Sequence, residues 1–244
     1  NSRKSLESIL ESIYYFLYRK NPLGQKTASK VDYIHNIIYN VFMLNYKKIA
    51  SLTPHFGKGP KDLLSYKEFE NLINNRPFLT NNRFTPAKDE IRYEWKNSPW
   101  ALDQDCWPIS TVLKVLDYTS IYLRDCSRVN KKINGFSEGL ENVLKKPIDC
   151  HIYFSNKLNS DNFGKHMDEN HNVIVVCEGK LNFKIYNGNK IMNKNLSKGD
   201  YCFVPAHMYH MITPLTTKRL SCSFPCELID DNFEAFEDRK WYKV

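Results

Sequence analysis

Between Cys150 and Phe224 the sequence breaks into six short runs rich in β-branched and aromatic residues: 150–155, 173–177, 181–186, 201–204, 208–212 and 220–224. Gly, Asn, Asp or Pro separates each from the next. Runs this short cannot each bury a face alone, and strands at this spacing close into a barrel or a sandwich. The patterns that precede them are mostly helical. Leu6, Ile9, Leu10, Ile13, Phe16 and Leu17 recur at three- and four-residue steps, and Asn21-Pro22-Leu23-Gly24 ends that helix. Ala28, Val31, Ile34, Ile37, Ile38, Val41, Phe42 and Leu44 form the stripe of a second helix.

Residues 51–59 read as loop, and 62–74, 110–116 and 136–144 as shorter helices, with a strand at 120–123. Helices first and antiparallel strands last give an α+β chain. Its length of 244 residues suits one catalytic domain (76–244) with a helical N-terminal extension (1–75). The extension's wide apolar stripe would brace the barrel or form a homodimer interface.

Two side chains of metal-ligating type stand at His166 and Asp168, i and i+2, which on extended chain point to one face. A third ligand must come from elsewhere. His210 follows the turn Gly199-Asp200 and the strand into Pro205, with His207 three residues before it as a rival. Two imidazoles and one carboxylate leave coordination positions open, as in iron(II) enzymes that bind oxygen and a co-substrate together; a structural zinc site would be closed by four protein ligands. The seven cysteines contain no CxxC pair and read as reduced, mostly buried thiols. Cys222 and Cys226 read as strand-end residues rather than a ligand pair.

The stretch from Phe163 to Tyr186, with its His-Met-Asp, apolar strand, glycine turn at Gly179 and aromatic strand, resembles the core of the JmjC and cupin-like 2-oxoglutarate oxygenases. Leu196 to His210 resembles that family's second block, a Gly-Asp turn, a strand into proline and the distal metal histidine, and Cys150 to Ser155 resembles its opening strand. The resemblance spans roughly 110–225. It implies a double-stranded β-helix (cupin or jelly-roll) core, Fe(II) on His166, Asp168 and His210 rather than His207, 2-oxoglutarate as co-substrate, and hydroxylation of a C–H bond.

A buried distal carboxylate needs a fixed cation. Many family members place one two residues after the glycine turn, where this chain has Leu181. Arg219 and Ser221, i and i+2 on a strand, resemble the Arg-x-Ser pair that another branch of the superfamily uses instead. Lys184 and Lys180 are weaker candidates. Asn172 and Tyr153 match positions near the metal-bound keto acid. The loops at Tyr93-Glu94-Trp95 and Ser98-Pro99-Trp100 would line the entrance.

Family members that act on proteins and on tRNA make a macromolecular substrate the expectation. The formal charge of +8 fits an RNA or acidic partner, although the excess reads as spread along the chain. No apolar run reaches the roughly 18 residues of a membrane span and no signal-peptide pattern is seen, so a soluble intracellular protein is expected. Two other readings stay open: a metal-dependent cupin enzyme that does not use 2-oxoglutarate, and a non-catalytic RNA- or protein-binding module.

Overall fold

The computed structural model describes residues 44–74, 84–86, 109–158 and 163–226. In chain order these form α1 (Tyr46–Ala50), β1 (His55–Lys58), α2 (Tyr66–Asn74), β2 (Phe84–Pro86), α3 (Ile109–Val115), β3 (Ile121–Leu123) and α4 (Lys131–Leu144). The strands β4 (His151–Ser155), β5 (His171–Glu178), β6 (Lys180–Asn187), β7 (Lys190–Ser197), β8 (Asp200–Val204), β9 (His210–Pro214) and β10 (Arg219–Cys226) follow. The two N-terminal helical patterns, the dimer they were offered for, Cys106 and the tryptophan loops lie outside the described residues.

All pairings are antiparallel, in a seven-stranded sheet ordered β1-β8-β5-β10-β4-β3-β2 and a three-stranded sheet ordered β7-β6-β9. From β5 onward the chain shuttles between the sheets: β5 in the large one, β6 and β7 in the small, then β8, β9 and β10 in large, small and large. This winding is the double-stranded β-helix, a jelly-roll with helices added on one side. Among the described residues no helix is long and apolar enough to cross a membrane.

Strand alternation divides the core in two. Val173, Val175, Cys177, Tyr201, Phe203, Leu220, Cys222 and Phe224 point from the large sheet into a cluster shared with Phe69, Leu72, Val112, Phe136 and Leu140 of the helices. Ile174, Val176, Cys202 and Val204 point the other way and meet Leu181, Phe183, Ile185 and Leu196 between the sheets. β5 is therefore apolar on both faces, and this is why 173–177 is a continuous apolar run. Cys126, Cys150, Cys177, Cys222 and Cys226 lie in the helix-side cluster, and only Cys202 lies between the sheets. All six are buried free thiols, and Cys177 Sγ lies 3.6 Å from Cys222 Sγ.

Local chemistry sets the ends of the helices. Ser65 and Glu68 form a capping box at α2: Glu68 Oε2 accepts from Ser65 N (2.6 Å) and the Glu68 N–H donates to Ser65 Oγ. Asn130 caps α4 by accepting from Ile133 N, and Lys145, at φ +54, ends it. The helix thus begins at Lys131, five residues before the periodicity at Phe136 shows it.

Three other differences from the sequence reading have physical causes. Residues 55–58, expected as loop, form edge strand β1 on β8 and bring 44–74 into the barrel's own sheet and core. β7, not anticipated, is an exposed polar edge strand whose apolar residues do not alternate. β9 begins at His210 rather than Met208 because His207 takes a left-handed conformation, φ +60.

Candidate metal and anion site

His166 precedes β5 and His210 opens β9, and one isolated bridge joins them. His166 N donates to His210 O (3.0 Å) and His210 N donates to His166 O (2.8 Å). The ring centroids consequently lie 4.3 Å apart. Each imidazole directs Nδ1 to a backbone carbonyl two residues back, His166 to Gly164 O and His210 to Met208 O, both at 3.1 Å. That bond places the proton on Nδ1 and leaves the Nε2 lone pair facing inward. Asp168 completes the group: Oδ1 is 3.7 Å from His166 Nε2 and Oδ2 is 3.6 Å from His210 Nε2.

One donor atom from each residue lies within 4.8 Å of the others, and among the described residues this is the only such group of metal-ligating side chains. His210 is 2% exposed and stacks on Phe183 at 5.8 Å, and burial lowers its pKa, favouring the neutral form that can ligate. His207 is exposed; only its backbone N–H reaches the group, at Asp168 O (2.8 Å). His171 accepts from Ala206 N through Nδ1 and His151 pairs with Asp149 at 3.2 Å, so each has a structural partner.

Asn172 lies beside the carboxylate. Its Nδ2 is 3.5 Å from Asp168 Oδ2, and its Oδ1 accepts from Ser223 Oγ at 2.6 Å. The serine hydroxyl fixes which way the amide points. Ser223 escaped the sequence reading, although it continues the alternation Arg219, Ser221, Ser223 on the inner face of β10.

At the other end of that face Arg219 is 2% exposed. Nη1 donates to Ser221 Oγ (2.9 Å) and Nη2 to Ser120 Oγ (3.4 Å), and burial pushes its pKa down to about 10. Ser155 stands opposite Arg219 in the β4–β10 register, fully buried, and its Oγ has no hydrogen-bond partner among the described residues. A buried guanidinium ringed by hydroxyls is a receptacle for an anion. Ser120 and Ser155 could not be found from spacing, because only the strand register brings them to Arg219.

Tyr153, opposite Ser221, spans the two ends. Burial raises its pKa first and neighbouring Tyr122 second; the Asp168 charge raises it further and the Arg219 charge lowers it. A phenol that senses both charges lies between them.

The structure corrects one expectation and explains another. Lys184 projects from the outer face of β6 with Asn182 and Tyr186, while Leu181, Phe183 and Ile185 fill the interior, so it does not contact the site. Leu181, where a cation is common in the family, is fully buried between Leu196 and Pro214 in an apolar part of the barrel. Lys180, beside it, is exposed.

No protein-family model and no curated protein matches the sequence. Solved structures do match it. Fold and topology define a protein of the double-stranded β-helix (cupin or jelly-roll) fold class. Within that class the chain is similar to the ribosomal oxygenase YcfD of Escherichia coli, at TM-score 0.54 and 16% identity over 77% of this chain and 53% of that one. The complexes of YcfD with cobalt and 2-oxoglutarate (TM-score 0.52, 15% identity) and with cobalt and succinic acid (0.53, 14%) match over the same 77% of this chain. The chain spans about half the length of these proteins. At this identity the likeness establishes the fold; residue roles rest on the geometry above.

Proposed function

We propose that this protein is an Fe(II)- and 2-oxoglutarate-dependent oxygenase that hydroxylates a C–H bond of a macromolecule. The observation that carries the reading is the common inner face of β10 and its neighbours, which runs from two Nε2 atoms and a carboxylate at one end to a buried guanidinium at the other. A ligand that chelates a metal through one end and carries a carboxylate at the other fits between them.

The residues suit both groups. His166, Asp168 and His210 offer the two-histidine, one-carboxylate set with open positions that non-haem iron(II) takes. The unpartnered Ser155 hydroxyl, with Ser221 and Ser120, supplies donors to the distal carboxylate beside Arg219. When bound, iron and 2-oxoglutarate supply the oxidation, in which oxygen converts the keto acid to succinate and CO2 and the second oxygen atom goes to the substrate. The chain's own part is placement. The reciprocal backbone bonds hold the two imidazoles, Ser223 and Asn172 orient the Asp168 carboxylate, and Tyr153 offers a hydroxyl midway. Ile174, Val176, Phe183 and Ile185 keep the surrounding barrel dry.

YcfD is described as a ribosomal oxygenase and has been crystallised with cobalt and 2-oxoglutarate, which supports both the cofactor pair and a macromolecular substrate here. Anaerobic addition of Fe(II) and 2-oxoglutarate should produce a visible charge-transfer band that is lost in His166→Ala and needs far more 2-oxoglutarate in Arg219→Ala. Absence of the band in the unmodified protein would reject the reading and favour a cupin enzyme with another substrate.

A further inference from the structure

The charge excess, spread along the sequence overall, is concentrated in the small sheet. Residues 179–199 contain five lysines and no Asp or Glu. They supply β6 and β7, and β9 adds no carboxylate. Among the described residues Lys180 and Lys184, on the outward face of β6, form no ion pair, whereas the neighbouring Lys198 and Lys58 pair with Glu178 and Asp200; Lys190 and Lys194 alternate with Met192 and Leu196 on the other side of β7.

The outward face of this sheet follows from the register. Tyr209 and Tyr186 lie side by side, joined by Tyr186 N donating to Tyr209 O, with Ile191 beyond them. The next row is Met211, Lys184 and Asn193, and the next Thr213, Asn182 and Asn195. Tyr209 is 46% and Ile191 60% exposed. Lys165 Nζ lies over both tyrosine rings, 4.1 Å from the Tyr186 centroid and 5.1 Å from that of Tyr209. Asn182 Nδ2 donates to Asn193 Oδ1 and Asn195 Oδ1, both at 2.8 Å. Lys165 and Tyr209 directly precede His166 and His210, so the surface borders the metal-binding group.

We infer that this outer face docks single-stranded RNA. Ring faces, amides and cations without acidic neighbours are what a flexible polyanion with π-faced bases requires: rings stack on bases, amides meet base edges and lysines meet phosphates. An acidic peptide would use the lysines but neither the rings nor the amide ladder. The docking argument stands on this face alone. That the bound strand is the substrate rests on the oxygenase reading, since the face leads to the catalytic group.

The test is fluorescence anisotropy with a labelled single-stranded oligoribonucleotide of about 20 nucleotides, using the full chain. The paired substitution Lys180→Glu/Lys184→Glu, both on the outward face of β6, should weaken binding about tenfold and reduce the log–log salt slope by roughly 1.4, two phosphates at ~0.7 each. Tyr209→Ala should weaken it about tenfold with the slope unchanged. The control Lys114→Glu/Lys131→Glu, on helices away from the face, makes the same change in net charge and should alter binding by less than about twofold. Equal loss in the control, no binding by the unmodified protein at about 0.1 M salt, or equal-affinity displacement by a glutamate-rich peptide would overturn the inference.

The charge-transfer band, read on the same variants, should be unchanged, and His166→Ala should bind RNA as the unmodified protein does. RNA binding without the band sinks the oxygenase reading and keeps the surface; the band without RNA binding does the reverse.

Discussion

His166 and His210 donate their backbone N–H groups to each other's carbonyl, at 3.0 and 2.8 Å, across an isolated bridge between the segment before β5 and the start of β9. The backbone therefore holds the two imidazoles side by side, with their ring centroids 4.3 Å apart. This preorganisation makes the donor set sensitive to the loss of any single member. His166→Ala, Asp168→Ala and His210→Ala should each abolish stoichiometric Fe(II) binding measured by anaerobic titration while leaving the far-ultraviolet circular dichroism unchanged. A variant that retains tight binding would remove its residue from the ligand set.

Ser223 reaches Asp168 only through Asn172. Ser223→Ala frees the amide to turn its oxygen toward the carboxylate, so metal affinity should fall about 10- to 100-fold, the usual effect of losing a partner that orients a ligand. Ser223→Thr, which keeps the hydroxyl, should restore most of it. Equal affinity in the alanine variant would leave Ser223 a packing residue.

Arg219 is buried with hydroxyl partners, so an incoming carboxylate would depend on it for charge. Arg219→Ala should cost about 2–5 kcal/mol of 2-oxoglutarate binding, roughly thirtyfold to several-thousandfold in affinity. Ser155→Ala should cost about 1 kcal/mol. Isothermal titration with the metal-loaded protein reads both, and unchanged affinity in Arg219→Ala would place the carboxylate elsewhere.

His55 is buried beneath Tyr201, with Nε2 2.8 Å from the phenol oxygen. Burial lowers its pKa, with Lys48 adding to the effect and the Thr53 carbonyl opposing it. The unfolded chain titrates it near 6.5, so below that pH the unfolded state takes up a proton that the folded state refuses. His171 and His210 are shifted the same way. Stability of the metal-free protein should accordingly hold above about pH 6.5 and fall as the solution is acidified below it. Urea unfolding at about pH 7.5 and 5.5 should show a smaller loss in His55→Gln than in the unmodified protein; an identical loss would place the proton uptake elsewhere.

Gly179 turns the chain from β5 into β6 at φ +75, and a Cβ there would lie 2.2 Å from Lys218 O. Gly179→Ala should destabilise the protein by about 2 kcal/mol or more, read as a lower urea midpoint with an unchanged slope. Gly188, also at positive φ but with nothing within 4 Å of a built Cβ, should lose less on the same substitution.

How much of this was legible depended on where each constraint lives. β5, β6, β8 and β10 show in the sequence because their buried faces demand apolar residues in runs or alternation. β1 and β7 do not, because edge strands tolerate polar residues on both sides. His166 and Asp168 announce themselves by their spacing, and Arg219 and Ser221 by theirs. Ser120 and Ser155 do not, since only long-range pairing brings them to the guanidinium. Alternation separated Lys184 from Leu181, Phe183 and Ile185, but only the second sheet decides which set faces inward. The positive surface was obscured by averaging over a chain with 27 acidic residues, none of which falls within 179–199.

The division of the core also separates the protein's sulfur from the candidate metal site. Among the described residues five buried thiols lie on the helix side of the large sheet, and only Cys202 shares the space between the sheets. Cys150, Cys202 and Cys222 are held as thiols chiefly by burial, and Cys177 first by its contact with Cys222. Oxidants attack the thiolate faster than the thiol. In the proposed oxygenase the large sheet would serve as a firewall: a stray oxidising equivalent made at the histidine pair would meet aliphatic and phenyl groups before it met most of the protein's cysteine.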